Sequence, residues 1–140
     1  MERLTFAMHI KSIHHIAIIC SNYARSKHFY TTILGAKVIC ETWREQRQSY
    51  KLDLHMGNAQ IELFSFPKPP ARPTRPEACG LRHLALAVEN LESAIAHLQG
   101  HDIAVEPIRL DELTDKRFTF FQDPDGLPLE LYEIPQCHYG

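Results

Sequence analysis

Hydrophobic and polar positions along the chain follow the order strand, helix and three strands, and this order occurs twice. An apolar run over residues 13–20 precedes Asn22, whose side chain is suited to cap a helix, and about a dozen helical residues end at Gly35. A second apolar run, 81–88, precedes Asn90 in the same way. The pattern predicts strands over residues 13–20, 37–42, 50–54 and 60–66 in the first half, and over 81–88, 103–108, 118–122 and 127–132 in the second.

The two halves are also similar residue by residue. His15-Ile16-Ala17-Ile18 matches His83-Leu84-Ala85-Leu86, and Ile61-Glu62-Leu63-Phe64 matches Leu129-Glu130-Leu131-Tyr132, with the same offset of 68 positions in both cases. The same offset places Tyr50 on Phe118. A constant offset over this length indicates an internal repeat.

The repeat predicts an α+β fold made of two tandem βαβββ modules, about 11–66 and 80–134. Residues 67–79 between them contain five prolines, which can neither donate to a sheet nor continue a helix. We therefore expect one domain over residues 11–134, with a proline-rich linker between its modules.

Alternation along the strands places one histidine and one glutamate of each module on the same side of its sheet. Leu84, Leu86 and Val88 form the apolar set expected to pack on the helix, so His83 faces the opposite side. The repeat gives His15 the same orientation, and the closing strands place Glu62 and Glu130 on that side as well.

Solvated surface residues have no reason to recur as histidine and glutamate at one offset and on one face. Imidazole nitrogens and carboxylate oxygens together suit Zn²⁺, Ni²⁺, Mn²⁺ or Fe²⁺. The sequence therefore predicts a metal site formed by His15, Glu62, His83 and Glu130.

Composition narrows the classes of partner. The chain has 140 residues, of which 44% are hydrophobic, and 15 basic residues stand against 17 acidic ones. A near-neutral charge gives no field to attract nucleic acid, and no apolar run approaches the roughly 20 residues that span a bilayer. We expect a cytoplasmic protein with a small-molecule substrate. The cysteines, which contain no C-x-x-C pair, are expected to be free thiols: Cys20, Cys40, Cys79 and Cys137.

These motifs resemble the vicinal oxygen chelate superfamily, which includes glyoxalase I, fosfomycin-resistance thiol transferases, extradiol dioxygenases and bleomycin-resistance proteins. The resemblance rests on the two histidine strands, on the two glutamate strands and on the turn Asp123-Pro124-Asp125-Gly126. A complete His, Glu, His, Glu set is most similar to bacterial glyoxalase I. In two-module members the modules of different chains commonly pair, which implies a homodimer.

The resemblance implies a lyase that isomerises a thiol hemithioacetal of a 2-oxoaldehyde through a metal-bound enediolate. Nickel or zinc would be the metal, with manganese or iron as alternatives. Glu130 would be the first base for proton transfer, and Glu62 a ligand and second base.

Some positions depart from the bacterial glyoxalase I pattern. Ile19 and Phe66 stand where that family has an arginine and an asparagine that contact glutathione. An anionic substrate could instead be held by one of five cations, Arg44, Arg47, Lys51, Lys116 and Arg117.

Two other functions remain open. One is an Fe²⁺ dioxygenase that uses His15, His83 and Glu130 as a facial triad. The other is a binding or resistance module without enzymatic activity, which would need no tightly bound metal.

Overall fold

The computed structural model describes residues 7–136, so the prediction of a free thiol at Cys137 lies outside the described residues. Its strands are β1 (Ile16–Cys20), β2 (Lys37–Arg44), β3 (Ser49–Met56), β4 (Ala59–Ser65), β5 (Leu84–Val88), β6 (Arg109–Asp111), β7 (Lys116–Gln122) and β8 (Pro128–Glu133). Its helices are α1 (Tyr23–His28), which continues as a π-helical turn over Phe29–Ile33, and α2 (Leu91–Gly100). Within these residues, no helix combines the length and the apolar character that crossing a membrane requires.

The strands form two four-stranded sheets of the same topology, in the orders β1-β4-β3-β2 and β5-β8-β7-β6. In each sheet the opening strand runs parallel to the closing strand, and the hairpins are antiparallel. The two tandem βαβββ modules predicted from the repeat are therefore confirmed.

Strand alternation assigned one side of each strand to the helices, and that side is the less exposed one: Leu84, Leu86 and Val88 of β5 are half-buried, whereas the alanines between them are exposed. Ile18 and Cys20 of β1 are 7% and 1% exposed, while Ile19 between them is 55% exposed. Burial raises the pKa of the Cys20 thiol to about 11, so this side chain acts as an apolar packing group. Leu129 and Leu131 of β8 are buried in the same way.

The helices begin at the two predicted caps. The Asn22 side chain accepts a hydrogen bond from Arg25 N at 3.0 Å, and Asn90 accepts one from Ser93 N at 2.9 Å. Gly35, with φ of 79°, follows the first helix in the left-handed conformation that glycine adopts without steric cost.

The strand predicted over residues 103–108 is wrong, because regular pairing begins only at β6. Pro107 has no amide hydrogen to donate to a ladder. The segment nevertheless runs beside β7, since Glu106 N donates to Phe120 O at 2.9 Å and Thr119 Oγ1 donates to Glu106 O at 2.6 Å.

The alignment of Tyr50 with Phe118 is also wrong, by one residue. Lys51 pairs with Phe64 in the first sheet, whereas Phe118 pairs with Tyr132 in the second, so Phe118 is the counterpart of Lys51. A shift of one residue moves a side chain to the other face of a sheet. The structure therefore places Lys51 on the same face as Glu62, where the second module has an aromatic ring.

The two modules contact each other through their helix sides and the Asp-Pro-Asp-Gly turn. Tyr30 OH donates to Asp123 Oδ2 at 2.8 Å in the buried core, and Ser21 N donates to Asp125 Oδ2 at 3.0 Å. The ring centroids of Phe29 and Phe121 lie 6.3 Å apart. The opposite faces of both sheets remain open in one chain.

A buried carboxylate fastens α2 to the second sheet. Both oxygens of Glu133 accept hydrogen bonds from the Arg117 guanidinium, at 2.9 and 2.8 Å, and Glu133 Oε2 also accepts one from Leu91 N at the start of α2. Arg117 beside it, together with the Leu91 amide, holds the pKa of Glu133 below its usual range.

Replacing Glu133 by glutamine is expected to lower the free energy of unfolding at pH 7 by on the order of 1–3 kcal/mol, because the Arg117 bonds lose their charged acceptor. Since the folded pKa is depressed, this stabilisation exists above the unfolded pKa of about 4.3 and is lost as the pH falls through the folded value. Urea unfolding at neutral and acid pH should show the gap between wild type and E133Q closing below about pH 4.

Glu106→Gln is the matched control, because Glu106 forms an exposed ion pair with Arg109. It should change the free energy of unfolding by less than about 0.5 kcal/mol. A gap between wild type and E133Q that stays constant with pH would contradict the proposed role of the Glu133 charge.

Candidate metal centre

The first module brings together the two residues predicted as its metal ligands. His15 directly precedes β1, and Glu62 lies in β4 opposite Ala17. The parallel pairing of the two strands places His15 Nε2 at 3.0 Å from Glu62 Oε2. The histidine side chain is 39% exposed and the glutamate 12%, so the pair lies at the open face of the sheet.

The second module repeats this arrangement. His83 precedes β5, and its Nε2 lies 2.9 Å from Oε2 of Glu130, which pairs with Ala85 in the parallel ladder. The His83 ring also packs nearly perpendicular to the ring of Phe120, with centroids 5.1 Å apart.

One chain does not unite the two pairs. Within residues 7–136, no group of three or more histidine, cysteine, aspartate or glutamate side chains is placed to hold a metal ion. Each sheet therefore carries half of the predicted ligand set. We call these pairs half-site 1, formed by His15 and Glu62, and half-site 2, formed by His83 and Glu130.

The donor chemistry of each half-site fits a divalent metal ion. An imidazole nitrogen and a carboxylate oxygen face each other at hydrogen-bond distance, and both are ligand atoms for zinc and nickel. Two half-sites together supply two nitrogen and two oxygen donors. This set leaves coordination positions for a substrate in an octahedral shell.

The two glutamates differ in their other contacts. Lys51 Nζ lies 3.1 Å from Glu62 Oε1 and 2.7 Å from Asp53 Oδ1, so both oxygens of Glu62 have partners. The Asp53 carboxylate, with a further contribution from Glu62, raises the pKa of Lys51. In the described part of the chain, no side chain or backbone group forms a hydrogen bond or ion pair with Glu130 Oε1.

The five cations considered for binding an anionic substrate occupy different places. Lys51 lies in half-site 1, and the Arg44 guanidinium lies over Phe64 of the same face. Arg47 lies in an exposed 3₁₀ turn, and Lys116 is an exposed residue of β7.

Arg117 is not available for a substrate, because its guanidinium binds Glu92 and Glu133 on the helix side of the sheet. Sequence reasoning missed Asp53 and also Arg109, whose guanidinium lies 5.6 Å from the ring centroid of Phe120. Asp53 alternates with buried residues along β3, and this pattern assigns it to the open face. The position of Arg109 over Phe120 depends on the register of β6 against β7, which the sequence does not show.

The fold and the half-sites together define a class of protein. The family model of the Glyoxalase/Bleomycin resistance protein/Dioxygenase superfamily matches residues 12–131. The chain therefore belongs to this superfamily, which confirms the resemblance recognised in its motifs.

Similar proteins cover nearly the whole chain. YwkD of Bacillus subtilis (strain 168) is 65% identical over 127 residues, which are 90% of this chain and 99% of YwkD. A glyoxalase family protein from Enterococcus faecalis has a crystal structure with a TM-score of 0.84 and 51% identity, covering 90% of this chain and all of that one.

A more distant match is a chain in the structure of the trypanothione-dependent glyoxalase I of Leishmania major. It has 26% identity and a TM-score of 0.68, and the match covers 89% of this chain and 87% of that one.

Proposed function

We propose that this protein is a metal-dependent lyase of the glyoxalase I type, which isomerises a small vicinal-oxygen substrate such as the thiol hemithioacetal of a 2-oxoaldehyde. The observation that supports this proposal is the pairing of histidine with glutamate in both modules, at 3.0 and 2.9 Å. The similarity to the Leishmania major enzyme supports the same reaction class.

A homodimer would complete the site. In one chain the two modules pack through their helix sides, so half-sites 1 and 2 lie on separate open sheets. Symmetric pairing of two chains can set half-site 1 of one protomer against half-site 2 of its partner, and it creates two equivalent sites. Exposed apolar side chains such as Ile19, on the same face as His15, would be covered by this contact.

The four residues His15, Glu62, His83 and Glu130 would hold the metal, which we assign as nickel or zinc. A bound divalent metal supplies a Lewis acid that orients and polarises the two neighbouring oxygens of the substrate.

The two glutamates have different roles in this proposal. Glu130 takes the proton from the substrate carbon that bears the sulfur and the hydroxyl group and returns it to the neighbouring carbonyl carbon, while the hydroxyl proton passes to the oxygen of that second carbon. Its Oε1 has no partner in the described residues, so the carboxylate is free to turn toward the substrate. Glu62 stays in place as a ligand, because Lys51 holds its second oxygen.

The thiol of the substrate is expected to differ from glutathione. Ile19 and Phe66 provide apolar surface at the two positions where bacterial glyoxalase I is expected to contact the tripeptide. Screening of 2-oxoaldehyde hemithioacetals made from several thiols identifies the preferred one.

The decisive experiment measures metal content. Full-length protein purified without chelators is loaded with Ni²⁺, Zn²⁺, Mn²⁺ or Fe²⁺ and desalted, beside Glu62→Gln and Glu130→Gln. We expect wild type to retain one of these metals and both variants to retain less. The control Glu41→Gln, which alters an exposed ion pair with Lys27 on the helix side of the first sheet, should behave as wild type.

Equally little metal in wild type and in both variants would refute the site. Oxygen consumption with catechols after anaerobic iron loading would identify a dioxygenase instead. Ligand binding that is unaffected by either glutamate variant would identify a binding module.

A further inference from the structure

Arg44, at the end of β2, lies on the face that carries half-site 1. Its guanidinium carbon is 4.8 Å from the ring centroid of Phe64 and 5.5 Å from that of Phe66. Arg44 Nη2 donates a hydrogen bond of 2.8 Å to the hydroxyl of Ser49, a fully buried residue. These contacts hold the guanidinium in one orientation against the sheet.

The charge of Arg44 is not compensated by the chain. Its Nε atom is buried without a hydrogen-bond partner, and no carboxylate between residues 7 and 136 lies within ion-pair distance of the guanidinium. By contrast, Arg109 and Arg117 each pair with a glutamate. A partly desolvated cation without a counter-ion costs free energy, so binding of an anion at this position is favourable.

The position of Arg44 relates it to the metal ligands. Phe64, beneath the guanidinium, follows Glu62 by two residues on the same face of β4, a separation of roughly 7 Å along the strand. Lys51 lies between them but already binds Asp53 and Glu62. Unlike Lys51, Arg44 therefore remains available to a ligand within the described residues.

We propose that Arg44 binds an anionic group of the substrate, and that the substrate of this enzyme is a carboxylate- or phosphate-bearing compound. This inference rests on the proposed function, since it places the anion next to the vicinal oxygens held at half-site 1. The planar guanidinium presents its N–H donors as a fork, a geometry that matches carboxylate and phosphate oxygens. Phe64 supplies an apolar wall below the bound group.

The test uses the metal-free, full-length protein, so that it does not depend on the metal site. Inorganic phosphate and succinate are titrated separately at constant ionic strength, and binding is followed by calorimetry and by the fluorescence of Trp43, the single tryptophan of the chain. We expect saturable binding of at least one anion by wild type. Arg44→Gln should weaken it by about tenfold or more, equivalent to about 1.4 kcal/mol.

Two further variants test whether the effect is specific to the guanidinium of Arg44. Arg47→Gln removes an exposed arginine three residues away and should bind the anion as wild type does. Arg44→Lys keeps the charge without the fork and should bind with intermediate affinity, which also covers the case in which Arg44→Gln folds poorly. The stronger of the two probes tells whether the natural group resembles a phosphate or a carboxylate.

Absence of saturable binding by wild type, or equal loss in Arg44→Gln and Arg47→Gln, overturns the proposal. Weaker dimerisation of Arg44→Gln in sedimentation with unchanged anion binding also overturns it, because the counter-ion is then a carboxylate of a second copy of the chain. Metal retention by wild type in the loading experiment is independent of these results, so failure here leaves the proposed lyase activity standing.

Discussion

An equimolar mixture of His15→Ala and His83→Ala chains, unfolded and refolded together, is expected to regain metal binding that neither variant has alone. If half-site 1 of one protomer faces half-site 2 of its partner, a mixed dimer carries both lesions in one site and none in the other. Random pairing makes half of the dimers mixed, so the mixture should bind about a quarter of the wild-type amount of metal. Metal analysis after desalting measures the recovery.

The chain offers a matched control for this experiment. His15→Ala and Glu62→Gln both alter half-site 1, so every site of their mixed dimer keeps one substitution, and metal retention should not exceed the mean of the two variants measured separately. Recovery in this second mixture, or none in the first, would contradict completion of the site between two chains.

Replacing Glu130 by glutamine is expected to lower turnover of the hemithioacetal by about 10²–10⁴-fold at saturating metal, the usual contribution of a positioned general base. Glutamine keeps the shape of the side chain but cannot accept the proton. Glu62→Gln should lose less turnover once metal is saturating, because Glu62 acts as a ligand that Lys51 holds in place.

The measurement is steady-state turnover against metal concentration for wild type and both variants. Equal losses at saturating metal would mean that both carboxylates transfer the proton, and a larger loss in Glu62→Gln would reverse their roles. Glu41→Gln, which removes an exposed carboxylate paired with Lys27 of α1 on the helix side of the first sheet, controls for nonspecific effects of removing a negative charge.

Sequence reasoning succeeded wherever the face occupied by a side chain follows from its neighbours on the same strand. Alternation assigned Ile18 and Cys20 to the helix side and Ile19 to the open side, and the burial of these residues agrees. The constant offset of 68 also holds in the structure for β1 against β5 and for β4 against β8, since Ile16 pairs with Ile61 as Leu84 pairs with Leu129.

Sequence reasoning failed where the position of a residue depends on how two strands pair. Nothing local distinguishes an offset of 67 from one of 68 along β7, so Phe118 was placed on Tyr50, although the ladder makes it the counterpart of Lys51. The pairing of Arg117 with Glu92 and Glu133 on the helix side also depends on α2, which lies elsewhere in the chain.

The sequence by itself determined the two βαβββ modules and the association of each histidine with a glutamate, because strand alternation and repetition are local properties. Only the tertiary structure decided that the two pairs stay apart within one chain. That outcome depends on contacts between residues about a hundred positions apart, Tyr30 with Asp123 and Ser21 with Asp125, which join the modules through their helix sides. The hydrophobic pattern of the sequence does not predict such contacts, because they stabilise the fold only when segments distant in the chain come together.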